Sequence, residues 1–323
     1  MGVSRASRLT SLLAGCLMLA VAPARAQESY PDRPIHVVIG FAAGAGADIL
    51  TRYIAHKLEE LSGQPVIVDN RPGASGNIAI RFAAAAPPDG YTLMFNANSG
   101  MVGSKFLFKE LPFDTLKDFK PIATFAQIGF MLVVAPNSPL KTVEDLTAYL
   151  KKKQDNIFGY TNPTGLMSAE LYKQLTGAPA KSVSYKTTAD AMRDLQAGQL
   201  DFMFMDGTFA AGQVRQWQLK ALAVITSARV ATVPDVPTMQ EAGLAYDFAP
   251  WWAAWAPSGT PQPILDKLEK WILQIDEMPD TPKFLETIGS VGQHDDQKAV
   301  MKRFIAEFDK WPPLVKAAGI VPE

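Results

Sequence analysis

Ile35-His36-Val37-Val38-Ile39-Gly40-Phe41-Ala42-Ala43-Gly44-Ala45-Gly46-Ala47-Asp48 carries the reading of the fold. Its first five residues are a β-branched run, the composition of a buried strand. Small residues then make a loop that a ligand can approach closely. Beyond it Ile49, Leu50, Tyr53, Ile54, Leu58 and Leu61 recur at helical spacing. A strand, a short loop and a helix in that order are the first half of a βαβ unit.

The unit completes itself downstream. Residues 65–68 read as a second strand, residues 75–86 as a helix and residues 91–95 as a third strand. A second series follows, with strands at residues 130–134, 157–160, 181–185, 200–205 and 219–225. Helices at residues 143–151, 165–175 and 189–197 separate them. An aromatic extended run spans residues 246–256, and helical patterns fill the rest. Regular alternation of this kind predicts an α/β protein with mostly parallel sheets.

One internal echo points to two lobes of like topology. Val134-Ala135-Pro136 leads through Pro139 into a helix, and Trp255-Ala256-Pro257 leads through Pro261 into another. The chain is expected to cross between lobes just before each, near residues 123–128 and 247–250. Coincidence of common strand–turn–helix grammar is the competing account.

Composition narrows the function. The chain has 323 residues, 48% hydrophobic and 20% charged, enough for one large or two average domains. Its first 26 residues read as an export segment: Arg5 and Arg8, an apolar run over residues 9–21, then Ala24-Arg25-Ala26 before Gln27. Leu13-Ala14-Gly15-Cys16 also resembles a lipidation box, but the apolar run continues past Cys16 to Val21. Cleavage removes Arg5, Arg8 and Arg25 from 31 basic residues, leaving 28 against 32 acidic and a net charge of −4. The single Cys leaves with it, which excludes a disulfide scaffold or a multi-Cys metal site. The charge gives no footprint for nucleic acid.

Several loops have the chemistry of an anion site. Residues 41–48 feed a helix N-terminus, whose unpaired N–H groups and partial positive charge favour an anion. Asp48 reads equally as a cap and as a pocket residue. Gly44-x-Gly46 with Asp69 raises a dinucleotide reading, but position 49 is Ile where the third Gly belongs. Residues 70–77 form a second Gly-rich loop, read as turn geometry. Asn96-Ala97-Asn98-Ser99 ends the third strand at its carboxyl end, where open α/β sheets bind ligands. Thr161-Asn162-Pro163-Thr164-Gly165 takes the equivalent place in the second lobe. His36, His56 and His294 are scattered, and residues 293–296 read as a solvated loop. No catalytic elbow, metal motif or cofactor fingerprint is present, so neither catalytic residues, a metal nor a cofactor is expected.

The ordered set Pro31-Asp32-Arg33-Pro34, Phe41 to Asp48, Asn70-Arg71-Pro72-Gly73-Ala74-Ser75-Gly76, Pro88-Asp89-Gly90-Tyr91-Thr92-Leu93, Leu111-Pro112-Phe113-Asp114, Val233-Pro234-Asp235-Val236-Pro237-Thr238 and Ala256-Pro257-Ser258-Gly259-Thr260-Pro261 resembles the Bug-type substrate-binding proteins of tripartite tricarboxylate transporters. The resemblance implies a periplasmic-binding-protein type II fold, two α/β lobes joined by two crossover segments around a ligand cleft. It implies lobe 1 at residues 27–125, lobe 2 at residues 126–247, and a return to lobe 1 with C-terminal helices at residues 248–323. It implies a periplasmic, non-enzymatic, monomeric protein that delivers a small carboxylate to a two-subunit membrane permease. A ligand sensor on the same fold and an exported enzyme are the alternatives.

Carried onto this chain, the implied ligand-binding residues are Phe41, Ala43, Gly44, Ala45, Gly46, Ala47, Asp48, Asn96, Ala97, Asn98, Ser99, Thr161, Asn162, Thr164, Gly165, Leu166 and Asp206. Two departures bear on the ligand. The first loop lacks the family's Pro and consecutive Gly. Leu166 stands where the family commonly has His, ahead of Glu170-Leu171-Tyr172. A donor is replaced by an apolar wall, so a carboxylate with an apolar or aromatic body is expected.

Overall fold

The computed structural model describes residues 30–226, 228–246, 248, 250–317 and 322. The predicted export segment, with Cys16 and the lipidation box, lies outside them. Among the described residues no helix is long and apolar enough to cross a membrane.

The first sheet begins with β1 (Ile35–Ile39), whose side chains are buried except His36. Helix α1 (Gly46–Ser62) buries Leu50, Ile54 and Leu58 at four-residue spacing and stops at Gly63, which takes the left-handed φ of 70°. Strand β2 (Val66–Asn70), a 3-10 turn at Ala74–Gly76, α2 (Asn77–Ala84) and β3 (Thr92–Ala97) follow. Then come α3 (Asn98–Leu107), α4 (Thr115–Asp118) and β4 (Phe119–Ile128).

The second sheet uses β5 (Phe130–Val134), α5 (Val143–Lys152), β6 (Ile157–Tyr160) and α6 (Pro163–Thr176). It continues with β7 (Lys181–Ser184), α7 (Thr188–Gln196), β8 (Phe202–Asp206), α8 (Gly207–Arg215) and β9 (Lys220–Val224). The chain then returns to the first sheet through β10 (Trp251–Pro257), α9 (Gln262–Asp276), α10 (Thr281–Thr287), β11 (Ser290–Val291) and α11 (Gln297–Ala317).

The strand orders are β11-β4-β10-β3-β1-β2 and β7-β6-β8-β5-β9. Set β11 aside and the two sheets match strand for strand. In each, three parallel strands (β2-β1-β3, β7-β6-β8) are followed by one antiparallel strand (β10, β5) and a last strand (β4, β9). The echoing Ala-Pro exits therefore occupy equivalent places, at the ends of β5 and β10. The expectation of mostly parallel sheets is corrected by the same pairing. β5 and β10 are the strands by which the chain enters each sheet after crossing, and they run against their neighbours.

The first hand-over is also placed. β4 pairs with β10 and β11 as far as Ile128, and β5 starts at Phe130 in the other sheet. Gly129 alone makes the passage, slightly beyond the predicted 123–128 stretch. Behind the first sheet, α11 packs on α3 and β4 and reaches α6 of the other lobe. Trp311 presses so close to α3 that a Cβ at Gly103 would lie 2.5 Å from its ring.

Candidate functional site: a cleft built on four helix N-termini

β1 and β3 are parallel neighbours, so their carboxyl ends, and the loops leaving them, lie side by side at one edge of the first sheet. β6 and β8 are parallel neighbours in the second. Four helices start there: α1 and α3 in the first lobe, α6 and α8 in the second. The two groups meet. Thr164 Oγ1 of α6 donates to Ser99 Oγ of α3 at 2.7 Å. A Cβ at Gly46 of α1 would lie 2.5 Å from Asp206 Oδ1 and 2.8 Å from the Thr208 Cβ of α8. Only Gly allows that approach.

The four N-termini differ in what satisfies them. α1 and α3 have Ala45 and Ala97 at their N-caps, with no side chain accepting from the first turn. α6 is capped by Asn162, whose Oδ1 accepts from Gly165 N–H at 2.9 Å. α8 is capped by Asp206, whose Oδ1 accepts from Phe209 N–H at 3.1 Å. Open N–H donors thus sit in the first lobe, and polar side chains face them from the second.

The Asp48 carboxylate is engaged by the chain's own donors. One carboxylate oxygen accepts from Gly44 N–H (2.8 Å) and Arg52 Nε (3.0 Å), the other from Asn70 Nδ2 (2.8 Å). Asn70 Nδ2 also donates to the Phe41 carbonyl at 3.0 Å, and Arg52 closes the ring by donating to Asn70 Oδ1 at 2.8 Å. Burial pushes the Asp48 carboxyl up, but the Arg52, Gly44 and Asn70 hydrogen bonds outweigh it and hold it below its ordinary value. These bonds fix the loop at both ends, with Gly44 at a φ of +80°. Ala43 and Gly44 are exposed at its tip, while Gly46 and Ala47 are buried.

Asn96, Ala97, Asn98 and Ser99 are all buried. Asn96 and Ala97 are the last residues of β3 and not a loop, and α3 starts at once. Asn98 turns away from the cleft: its Nδ2 donates to Glu307 Oε2 and its Oδ1 accepts from Trp251 N–H, both at 3.3 Å. Any part Asn98 takes in a ligand contact therefore falls to its main chain. Asn96 Oδ1 accepts from Ala97 N–H, while its Nδ2 is buried without a partner.

In the second lobe Thr161 and Asn162 are half-buried, and Thr164, Gly165 and Leu166 are buried. Gly165 packs against β8, where a Cβ would come 2.9 Å from the Phe204 carbonyl. Burial pushes the Asp206 carboxyl up, against the Phe209 and Thr208 contacts.

Two further residues border these helix ends. Thr208 adjoins Gly46 across the lobes. Trp252 pairs opposite Ala97, and its ring lies 5.4 Å from that of Phe41. The alternation of Trp251, Trp252 and Trp255 separates the faces; only the pairing with β3 says which face meets the first loop. Among the described residues, no group of three or more His, Cys, Asp or Glu is arranged to hold a metal ion.

With this geometry in hand, the likenesses to known proteins are specific. Residues 50–320 match the model of the tripartite tricarboxylate transporter family receptor. A UPF0065 protein of Bordetella bronchiseptica is 33% identical over 321 residues, covering 97% of this chain and 94% of that one. Protein BugT of Bordetella pertussis is 30% identical, over 90% and 91% of the two chains. Among solved structures, the periplasmic binding protein BugD aligns with a TM-score of 0.82 at 28% identity, over 91% of this chain and all of that one. An R. palustris protein solved with adipate aligns at 0.85 and 30% identity, over 91% of this chain and all of that one. MatC of Rhodopseudomonas palustris, solved with bound malate, aligns at 0.80 and 28%, over 88% of this chain and all of that one.

Proposed function

We propose, for a chain that belongs to the tripartite tricarboxylate transporter receptor family, a role as a periplasmic receptor for a small organic carboxylate. It is exported by the cleavable segment at residues 1–26 and acts as a monomer. It captures its ligand by closure of the two lobes and delivers it to a two-subunit membrane permease. The carrying observation is the pair of side-chain-uncapped N-termini, at Ala45 and Ala97, facing Thr164 and Asp206 across the cleft.

Burying an anion is costly. A carboxylate leaving water needs hydrogen bonds on every side. The N–H groups of α1 and α3 supply the first set, in a loop that Asp48 already holds in shape. The second lobe supplies the rest only once it has closed. Charge-assisted bonds contribute roughly 1.5–3 kcal/mol each, so a ligand touching both lobes favours the closed state and one touching a single lobe does not. With a net charge of −4 expected for the mature chain, attraction is local.

The relatives solved with adipate and malate support the carboxylate class. The buried Leu166, with the Phe41 ring tilted against that of Trp252, favours an apolar or aromatic body. A thermal-melt and calorimetric screen of aliphatic and aromatic mono- and dicarboxylates tests the reading. Dicarboxylates with an apolar body are expected to raise the melting temperature by several degrees. Stabilisation by citrate-like compounds alone would overturn it.

A further inference from the structure

We infer that Glu307 of the C-terminal helix is a positioning residue of the ligand site: it holds Asn98, and through Asn98 it fixes the open N-terminus of α3 against the returning strand β10. This rests on the carboxylate reading above and adds to it a residue that touches no ligand.

α11 turns Val300, Phe304, Glu307, Trp311 and Val315 inward. Glu307 is the one charged side chain of that set. Its neighbours on the face are aromatic: Phe304 packs on Trp255 with ring centroids 4.7 Å apart, and Trp311 meets Phe248 edge-on at 6.2 Å. Burial pushes the Glu307 carboxyl up, against the Lys310 charge and the Asn98 contact. An acid so placed contributes little to stability, and an apolar side chain of similar volume often does better.

Its contacts lead to the cleft. Asn98 Nδ2 donates to Glu307 Oε2 at 3.3 Å, and Trp251 N–H donates to Asn98 Oδ1 at 3.3 Å. A backbone N–H can only donate, so Trp251 fixes which end of the amide is oxygen. The amide nitrogen must then meet an acceptor, and Glu307 presents it. The indole N–H groups of Trp251 and Trp311 are buried near the same carboxylate without closing well-formed hydrogen bonds, so the place suits an acceptor and not a further donor. Asn98 is the first residue of α3, whose N-cap, Ala97, has no side chain to hold the first turn. Trp251 is the first residue of β10, on which the chain re-enters the first sheet. Glu307, Asn98 and Trp251 thus tie the α3 N–H donors to the strand that follows the second crossing. α11 packs on α3 and reaches α6, the two helices that meet at Ser99 and Thr164.

Calorimetric titration of the mature protein with adipate and with terephthalate, one aliphatic and one aromatic dicarboxylate, tests the clamp beside thermal melts of each unliganded variant. Glu307→Met removes the acceptor at similar volume and is expected to weaken both ligands by roughly fivefold or more. Glu307→Gln keeps one acceptor oxygen for Asn98 and is expected to bind within about threefold of wild type. Ser104→Ala removes the buried bond from Ser104 Oγ to Asn77 Oδ1 (2.6 Å) in the second half of α3. It is expected to lower the melting temperature and leave affinity unchanged, which separates positioning from general destabilisation of the helix. Asn98→Ala, which leaves the carboxylate in place, is expected to match Glu307→Met, and the double variant to lose no more than either. Wild-type affinity in Glu307→Met, an equal loss in Ser104→Ala, or additive losses in the double variant overturns the inference while the carboxylate reading stands. Should Glu307→Met not fold, wild-type affinity in Asn98→Ala overturns it equally. Failure of both ligands to bind the wild type overturns the carboxylate reading and this inference with it.

Discussion

Asp276 closes α9 with a carboxylate that has no solvent exposure. His294 pairs with it, with Nδ1 3.0 Å from Oδ2 and the ring more than half exposed. Burial, with the charge of Glu277 behind it, pushes the Asp276 carboxyl up to about 9. The sign of its pH dependence follows. The folded protein keeps a proton that the unfolded chain releases above about pH 4, so stability falls as pH rises from about 4 toward 9. Asp276→Asn, which cannot ionise, is expected to stabilise the protein at pH 8 by about 1–3 kcal/mol. That gain should fade near pH 4, and thermal melts at the two pH values check it. A lower melting temperature for the variant at pH 8 would mean that the His294 ion pair outweighs the burial cost. This pairing was not legible in the sequence, where residues 293–296 read as a solvated loop. His294 lies 18 residues beyond Asp276, and the intervening β11 brings them together. Asp48 shows the same limit from the other side. Its type and place admitted both roles, and its bond to Asn70, 22 residues on, could not be read from them.

Elements were more legible than partners, because hydrophobic period is local and strand pairing is not. Strands β1, β5 and β6 fall where their apolar runs do. Helix α3 was missed: Asn98-Ser99-Gly100 reads as a loop by composition, and Trp311 packing against Gly103 and Thr164 bonding to Ser99 make it helical ground in spite of that. The first crossing was expected near residues 123–128, but the glycines that meet beside it are far apart in sequence and their contact was not legible. Gly207 N–H donates to the Gly129 carbonyl at 2.6 Å, and Gly129 N–H to the Gly289 carbonyl at 3.2 Å. A Cβ at Gly207 would meet the Gly129 oxygen at 2.7 Å, and one at Gly129 would meet the Gly289 oxygen at 2.8 Å. Three backbones touch where β4 hands over to β5. Gly207→Ala is therefore expected to cost about 1–3 kcal/mol by overpacking and to shift the lobes toward a more open form. Gly212→Ala, in the same helix with open space around it, is expected to be neutral or stabilising by up to about 1 kcal/mol. Denaturant melts and small-angle scattering of the two variants measure both effects. Equal behaviour of the pair would show that the three glycines are not a pivot.

At the scale of the whole molecule, the repeated strand order matters more than either sheet alone. Because each sheet sends its parallel strands toward the cleft by their carboxyl ends, each contributes helix N-termini to it, and the two sets face each other. An anion between them would meet the open N–H groups of the first lobe and polar side chains of the second, and a negative side chain grafted there is a tethered competitor for the same donors. Thr164 is the position to use. It is buried, it lies in the first turn of α6, and its hydroxyl already reaches Ser99 of the other lobe at 2.7 Å. In Thr164→Asp the new carboxylate keeps favourable company at the α6 N-terminus, which limits the damage to folding. It places a charge where the proposed site would hold the ligand's own, and at close range the repulsion in a water-poor cleft exceeds what a few hydrogen bonds return. Carboxylate affinity is expected to fall at least a hundredfold, with the unliganded melting temperature within a few degrees of wild type. Thr164→Val, which removes only the hydroxyl, is expected to weaken binding several-fold by loosening the closed state, in line with about 0.5–1.5 kcal/mol for one hydrogen bond. Calorimetry on the two variants beside the wild type measures the difference. Wild-type affinity in Thr164→Asp would place the carboxylate somewhere other than between these four helix ends.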